Sequence, residues 1–362
     1  MPLEATGVGA PHAIADSPAR DTRAARLQWV DALKGAGILL VVLGHALGGL
    51  IDAGFAPGTT WFRPLFAAIY IFHMPLFFFL TGLFVAKRVN DNPDRFRAQL
   101  FSQIAWPYFL WSAVQIVAIT MAGSLANNPG GPLGPSLLRT FFMPSAQFWF
   151  LYSLFFFHGL SLIARRAIAT PFYLLLLIAA GSLGEQQALP GIVEASLQMA
   201  PYYGLGVFLG PLLLDRAPSP RDRVWLWSVP LACAALAVTM AHAIELGIPG
   251  LWPETGAAII LDVRSFDNFY AALAAIIALV SLARFTGQWA PGWLISCGRQ
   301  TMPIFLLHIL FIAATRIAVL KYDPAVPAPI LLSLLCLVGV LMPLVTAAIA
   351  DRVGLSKWIG FR

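Results

Sequence analysis

Between Trp29 and Leu50 the chain reads WVDALKGAGILLVVLGHALGGL, an apolar stretch interrupted by three ionisable residues, Asp31, Lys34 and His45. Lipid offers such groups no hydration, so inside a spanning segment they commonly mark a substrate path, a proton relay or a reaction site. At 100° per residue Lys34 and His45, eleven positions apart, fall within about 20° of each other and about 16 Å apart along a helix. Asp31 lies about one turn before Lys34 on nearly the same stripe. A histidine can take a proton near neutral pH, and an ammonium on the same stripe can attract an anion or stabilise negative charge on a carbonyl oxygen. The plainer alternative is a buried Asp31–Lys34 ion pair and a hydrogen-bonded histidine that hold helices together.

Other segments offer further groups. In FAAIYIFHMPLFFFLTG, His73 precedes Met74-Pro75, and a proline there frees a backbone carbonyl and can bend the helix beside a cavity. Taken alone, His73 reads more readily as a structural hydrogen-bonder than as a catalyst. SCGRQTMPIFLLHILF puts Arg299 at a helix start and His308 about two turns further in. Trp149, opening the apolar run WFLYSLFFFH, suits an interfacial anchor. His158 and His242 read as structural. The three cysteines have no metal-ligand spacing, so neither a zinc site nor a disulfide framework is expected.

The elements that must carry these groups follow from composition. Hydrophobic residues make up 59% of the 362 positions and charged residues 11%, far below the roughly 25% charge of a soluble domain. An all-α, polytopic integral membrane bundle is the expected fold class. Runs of roughly 20 apolar residues, enough to cross the hydrocarbon core, fall near 28–50, 64–86, 99–122, 147–164, 168–184, 195–214, 224–244, 266–283, 301–319 and 328–350. Ten helices are therefore expected. The connection from 122 to 146, with NNPGGPLGP inside it, could cap an outward-facing cavity but reads more readily as a plain outer connector, and 247–265 reads as an outer loop. The expected organisation is a tail over 1–26 without a cleavable signal peptide, a membrane domain over 27–352, and a short tail over 353–362.

The net charge of +6 gains meaning from its placement. With helices alternating from an inside N-terminus, seventeen of the 23 Lys and Arg fall on the inner side and five outside, the remaining one being Lys34. Basic residues favour cytoplasmic loops, so both termini are expected in the cytoplasm and no nucleic-acid partner is expected.

DALKGAGILLVVLGH, FHMPLFFFLTG, FWFLYSLF, PYYGLG and GRQTMPIFLLH, in that order, resemble the membrane acyltransferase-3 family, most closely its branch related to fucose 4-O-acetylases. Each string is apolar and weak alone; their ordered combination is specific. The family's helix-one motif, a basic residue, ten others and then histidine, maps onto Lys34 and His45. The resemblance implies that His45 is catalytic, as general base or as the site of an acyl-histidine, and that Lys34 helps organise the acyl donor. Many relatives carry Arg at the first position, whereas Lys is a point charge without bidentate geometry. The implied reaction moves an acyl group, most simply acetyl, from acetyl-CoA as co-substrate to a hydroxyl of a carbohydrate or lipid-linked sugar, with no tightly bound cofactor and no metal, in a bacterial inner membrane. Asp31, His73, Trp149, Arg299 and His308 are the accompanying donor- or acceptor-side candidates. The alternative from another class is a transporter or flippase of a lipid-linked sugar, in which the same ionisable groups pass protons or substrate.

The topology is open to direct test. Single cysteines at Ala53, Asn128 and Gly250 in a cysteine-free background should react with an impermeant reagent on intact cells, and cysteines at Asn90 and Ser219 should not. The reverse pattern would invert the orientation.

Overall fold

In the computed structural model, residues 18–54, 61–127, 129–184, 191–215 and 268–361, with the isolated positions Pro230, Ala234 and Ala237, are described. They form helices and their connections, with no strand among the described residues. The helices are α1 (Pro18–Asp52), α2 (Phe62–Gly82), α3 (Val85–Asp91), α4 (Pro93–Leu100), α5 (Trp106–Ala122), α6 (Leu133–Arg139), α7 (Trp149–Ile163), α8 (Pro171–Leu183), α9 (Gly191–Asp215), α10 (Phe269–Thr286), α11 (Gly292–Arg299), α12 (Thr301–Tyr322) and α13 (Ala328–Arg352). Among the described residues eight helical stretches are long and apolar enough to cross a membrane. The run expected near 168–184 becomes α8, whose 13 residues extend about 20 Å, short of a full span. The run at 224–244 and the loop at 247–265 lie outside the described residues.

Helix α1 is the hub of the bundle, in contact with α2, α10, α11, α12 and α13. Helix α2 is apolar all round, and Ala67 to Leu80 are buried without a break, as expected of a helix enclosed by others. Among the described glycines the tightest contact joins α1 to α11. A Cβ at Gly298 would fall inside the Asp31 carbonyl oxygen, and a Cβ at Gly35 inside that of Leu294. In lipid, where tails are as apolar as leucine, such small-residue contacts let packing forces join helices that hydrophobicity cannot drive together.

The two ends of the bundle carry different chemistry. At one end Arg299 pairs with Asp31 at 3.1 Å, Arg284 lies over the Trp29 ring and donates to the Leu213 carbonyl, and Arg165 reaches the Asn90 carbonyl at 3.4 Å. At the other, Asn127 donates to the Gly49 carbonyl at 3.0 Å and accepts from the buried Arg316. Exposed Trp289, Trp293 and Trp358 accompany the first end, and Trp61 and Tyr322 the second, a distribution suited to two interfacial belts.

Two sequence expectations change. The connection over 122–146 is not a plain surface loop. It carries α6 and then brings the Thr140 carbonyl within 2.5 Å of the Tyr108 hydroxyl, with Phe141 packed on Phe109 at 4.9 Å. Tyr108 lies 14 residues before the end of α5, so the segment returns about 21 Å along the helix it has just left. The hydroxyl and the ring contact hold this re-entrant segment, and irregular backbone at such depth requires that kind of satisfaction. Trp149 is also not an interfacial anchor. It is 7% exposed and packs on Phe78 at 5.7 Å, because α7 starts inside the bundle rather than at its rim.

Between α4 and α5 the chain makes a π-helical turn, Phe101–Ala105. Pro107 follows it, and a proline ring clashes with the carbonyl four residues back while offering no donor. One extra residue in the turn relieves this.

Gly298→Ala should lower the melting temperature of the purified protein, since overpacking against backbone costs about 3 kcal/mol. Gly49→Ala is the control, because a Cβ there meets nothing within 4 Å. Equal melting of the two variants would show that the α1–α11 contact is not close.

Candidate active site

Three helices present parallel rows of side chains to one interior path. On α1 the row is Lys34, Ile38, Val41 and then His45, the 4-3-4 spacing of one helix face. On α2, running the other way, it is Thr81, Phe77, Met74 and then His73 and Tyr70. On α12 it is Thr301, Met302, Phe305 and then His308. The first three of each row line a cavity of ≈ 280 Å³, to which Arg299 and Phe150 also contribute. Its lower end holds the two cations Lys34 and Arg299. Its upper end stops at Val41, Met74 and Phe305, one helical turn or less below the histidines.

Above the cavity His45 and His308 face each other with ring centroids 5.0 Å apart. Tyr70 places its hydroxyl 3.4 Å from His45 Nδ1 and its ring 4.6 Å from that of His73. The two flanking histidines have defined tautomers. His73 Nδ1 lies 2.8 Å from the Ile69 carbonyl, and His308 Nδ1 lies 2.9 Å from the carbonyls of Ile304 and Phe305. Carbonyl oxygens only accept, so each Nδ1 carries the proton and, in the neutral ring, each Nε2 carries the lone pair. His73 is 2% exposed and His308 fully buried, while His45 is only partly buried.

Lys34 makes no hydrogen bond or ion pair among the described residues; its ammonium lies 5.3 Å over the Phe84 ring and faces the cavity. The buried Asp31–Lys34 pair considered from sequence does not form, because Asp31 is held by Arg299 from α11. A cation left in this way suits an anionic ligand group. The hydroxyls of Thr81 and Thr301, also on the cavity wall, are tied to the carbonyls of Phe77 at 2.8 Å and Gly298 at 2.7 Å, so they narrow the path without offering a spare proton.

Of the residues singled out from sequence, Lys34, Arg299, His45, His73 and His308 come together along this path, and Asp31 supports it through Arg299. Trp149 does not line the cavity; it packs on Phe78, and its neighbour Phe150 reaches the cavity wall. Tyr70 was missed. Its position three residues before His73, on the same helix face, was the available signal. Among the described residues no group of His, Cys, Asp and Glu side chains is arranged to hold a metal ion.

The arrangement can therefore accept a proton at one end of a narrow passage and attract negative charge at the other. Comparison with known proteins supplies the family. A family profile described as an acyltransferase domain matches residues 27–348. The nodulation protein NolL of Mesorhizobium japonicum is 27% identical over 146 residues, 39% of this chain and 35% of that protein. NolL of Sinorhizobium fredii is 48% identical over 85 residues, 23% of either chain. The matched regions thus span about a third and a quarter of these relatives. No solved structure matches the chain. With a profile that covers all but the two ends, the chain belongs to the acyltransferase-3 family of membrane acyltransferases.

Proposed function

We propose that this protein transfers an acetyl group from acetyl-CoA to a hydroxyl of a carbohydrate-containing acceptor, with His45 as general base. The observation that carries the reading is the cavity that leads from Lys34 and Arg299 to the foot of the His45–His308 pair. A coenzyme thioester is a slender arm on a polyanionic head. The two cations at the mouth suit the head, and the apolar walls formed by Ile38, Val41, Met74 and Phe305 suit the arm.

The chemistry then follows from proximity. The acceptor oxygen bonds to the acyl carbon while its proton passes to His45, the carbon–sulfur bond breaks, and the proton leaves on the thiol. A hydroxyl is a poor nucleophile at neutral pH, and a base within hydrogen-bond reach is the usual remedy. Tyr70 restrains the His45 ring through Nδ1. With the mouth on the cytoplasmic side of a bacterial inner membrane, donor and acceptor reach one histidine from opposite faces.

The acyl-transfer reading is favoured over transport by three observations. Asp31 is engaged by Arg299, His73 and His308 are tied to their own helices, and the family is one of acyltransferases.

His45→Ala should keep the protein inserted and folded while lowering acetyl transfer by about 10²- to 10⁴-fold, read as coenzyme thiol released from acetyl-CoA in the presence of a glycoside. Near wild-type turnover in the folded variant would remove His45 from the mechanism. Lys34→Ala should raise the KM for acetyl-CoA by about tenfold, the effect of losing roughly 1.4 kcal/mol of donor binding, and Lys34→Arg should recover most of it. If both variants used the donor normally, Lys34 would have no donor role.

A further inference from the structure

A buried histidine is satisfied only when both ring nitrogens have partners. At His308 one has and one has not. Nδ1 is committed as a donor to the Ile304 and Phe305 carbonyls, each at 2.9 Å. Nε2, left with the lone pair, is shut off from solvent and meets no hydrogen-bond partner among the described residues. The side chain is 0% exposed, its ring lies 5.0 Å from that of His45, and the cavity wall ends at Phe305, one turn before it. The bundle thus keeps a desolvated acceptor, fixed in tautomer, beside the candidate base. Buried acceptors of this kind are rarely left unused.

We infer that His308 Nε2 is the seat of a second hydroxyl of the acceptor, adjacent to the one that is acylated. The inference rests on the acyl-transfer reading above and adds the acceptor class: a polyol whose reacting hydroxyl has a hydroxyl neighbour, as on adjacent carbons of a sugar ring. Because Nδ1 holds the proton, the seat takes donors only; an ether or carbonyl oxygen in that place would meet lone pair against lone pair. During transfer the bond to His308 is neither made nor broken. The reacting oxygen bonds to the acyl carbon, the carbon–sulfur bond breaks, and the proton goes by way of His45 to sulfur, while the neighbouring hydroxyl stays on Nε2 and fixes the angle of attack. Sites built to hydrogen-bond a hydroxyl discriminate strongly against analogues that lack it, because the protein group is then left unpaired.

Two substitutions separate this role from a structural one. His308→Asn keeps an amide donor near the place of Nδ1 and removes the acceptor. His308→Gln puts an amide oxygen near the place of Nε2 and gives up the tie to the helix. The full chain in lipid nanodiscs would be assayed with acetyl-CoA as donor, and with methyl hexopyranosides and their monodeoxy derivatives as acceptors. On the best intact glycoside, His308→Asn should lower kcat/KM by about 10- to 100-fold, the scale of one buried group left unpaired, with His308→Gln recovering part of the loss. For wild type, one deoxy position next to the acylated hydroxyl should cost a similar factor, and that same deoxygenation should cost His308→Asn almost nothing further. Losses that multiply, or a His308→Asn enzyme as active as wild type, would overturn the second-hydroxyl seat and leave acyl transfer intact. A wild-type enzyme that acetylates none of the glycosides would instead overturn the acyl-transfer reading, and the seat with it.

Discussion

Asp31 can neutralise one cation, and at 3.1 Å it neutralises Arg299. The charge on Lys34 is therefore left to the cavity and to the face of Phe84. Burial makes that arrangement costly, since the ammonium loses hydration and feels the Asp31 carboxylate only through space, without a direct ion pair. A site that binds a polyanion recovers the cost on binding, which is why an open cation is tolerated in a donor site and would be expected to be paired in a purely structural one. The pairing of Asp31 across to another helix is what turns a charged stripe on α1 into a gradient, cationic at the mouth and basic only at the imidazoles above.

The close contact of α1 and α11 makes this pairing possible. Gly35 and Gly298 bring the two backbones together at the level of Asp31, and Arg299, the next residue after Gly298, is thereby carried to the carboxylate. The same packing fixes the depth of α12, which follows α11 after a single residue, and so brings His308 level with His45. Catalytic groups held on packed helices keep their spacing far better than groups on loops. The His45–His308 distance is in this sense set by two glycines, Gly35 about 15 Å before His45 along α1 and Gly298 on α11.

Much of this was legible in the sequence, and the reason is periodicity. The alignment of Lys34 with His45 follows from 3.6 residues per turn, and the membrane class follows from long apolar runs with few charges. What depended on contacts remote in sequence was not legible. Asp31 finds a partner 268 positions away, where spacing within α1 pointed to Lys34. Tyr70 sat in an aromatic-rich helix, and its one local mark, a hydroxyl three residues before His73 on the same face, did not show that it would reach His45 on another helix. The return of Thr140 to Tyr108 crosses 32 positions, and the Gly- and Pro-rich composition of that connection describes only its turns. Trp149 misled because aromatic residues at helix ends usually sit at the lipid interface, whereas this helix starts in the interior.

The central claim is that the passage between Lys34 and His45 carries the thioester. Val41, buried and on the cavity wall midway along the α1 row, is the position at which to block it. Val41→Trp should leave the binding of adenosine 3′,5′-bisphosphate, the nucleotide part of the donor, unchanged, and should lower acetyl-CoA consumption by about 100-fold, the scale on which small displacements from attack geometry act. Val117→Trp, on the exposed face of α5, should do neither. A folded Val41→Trp protein that consumed acetyl-CoA at the wild-type rate would show that the donor reaches His45 by another route, and would contradict the account.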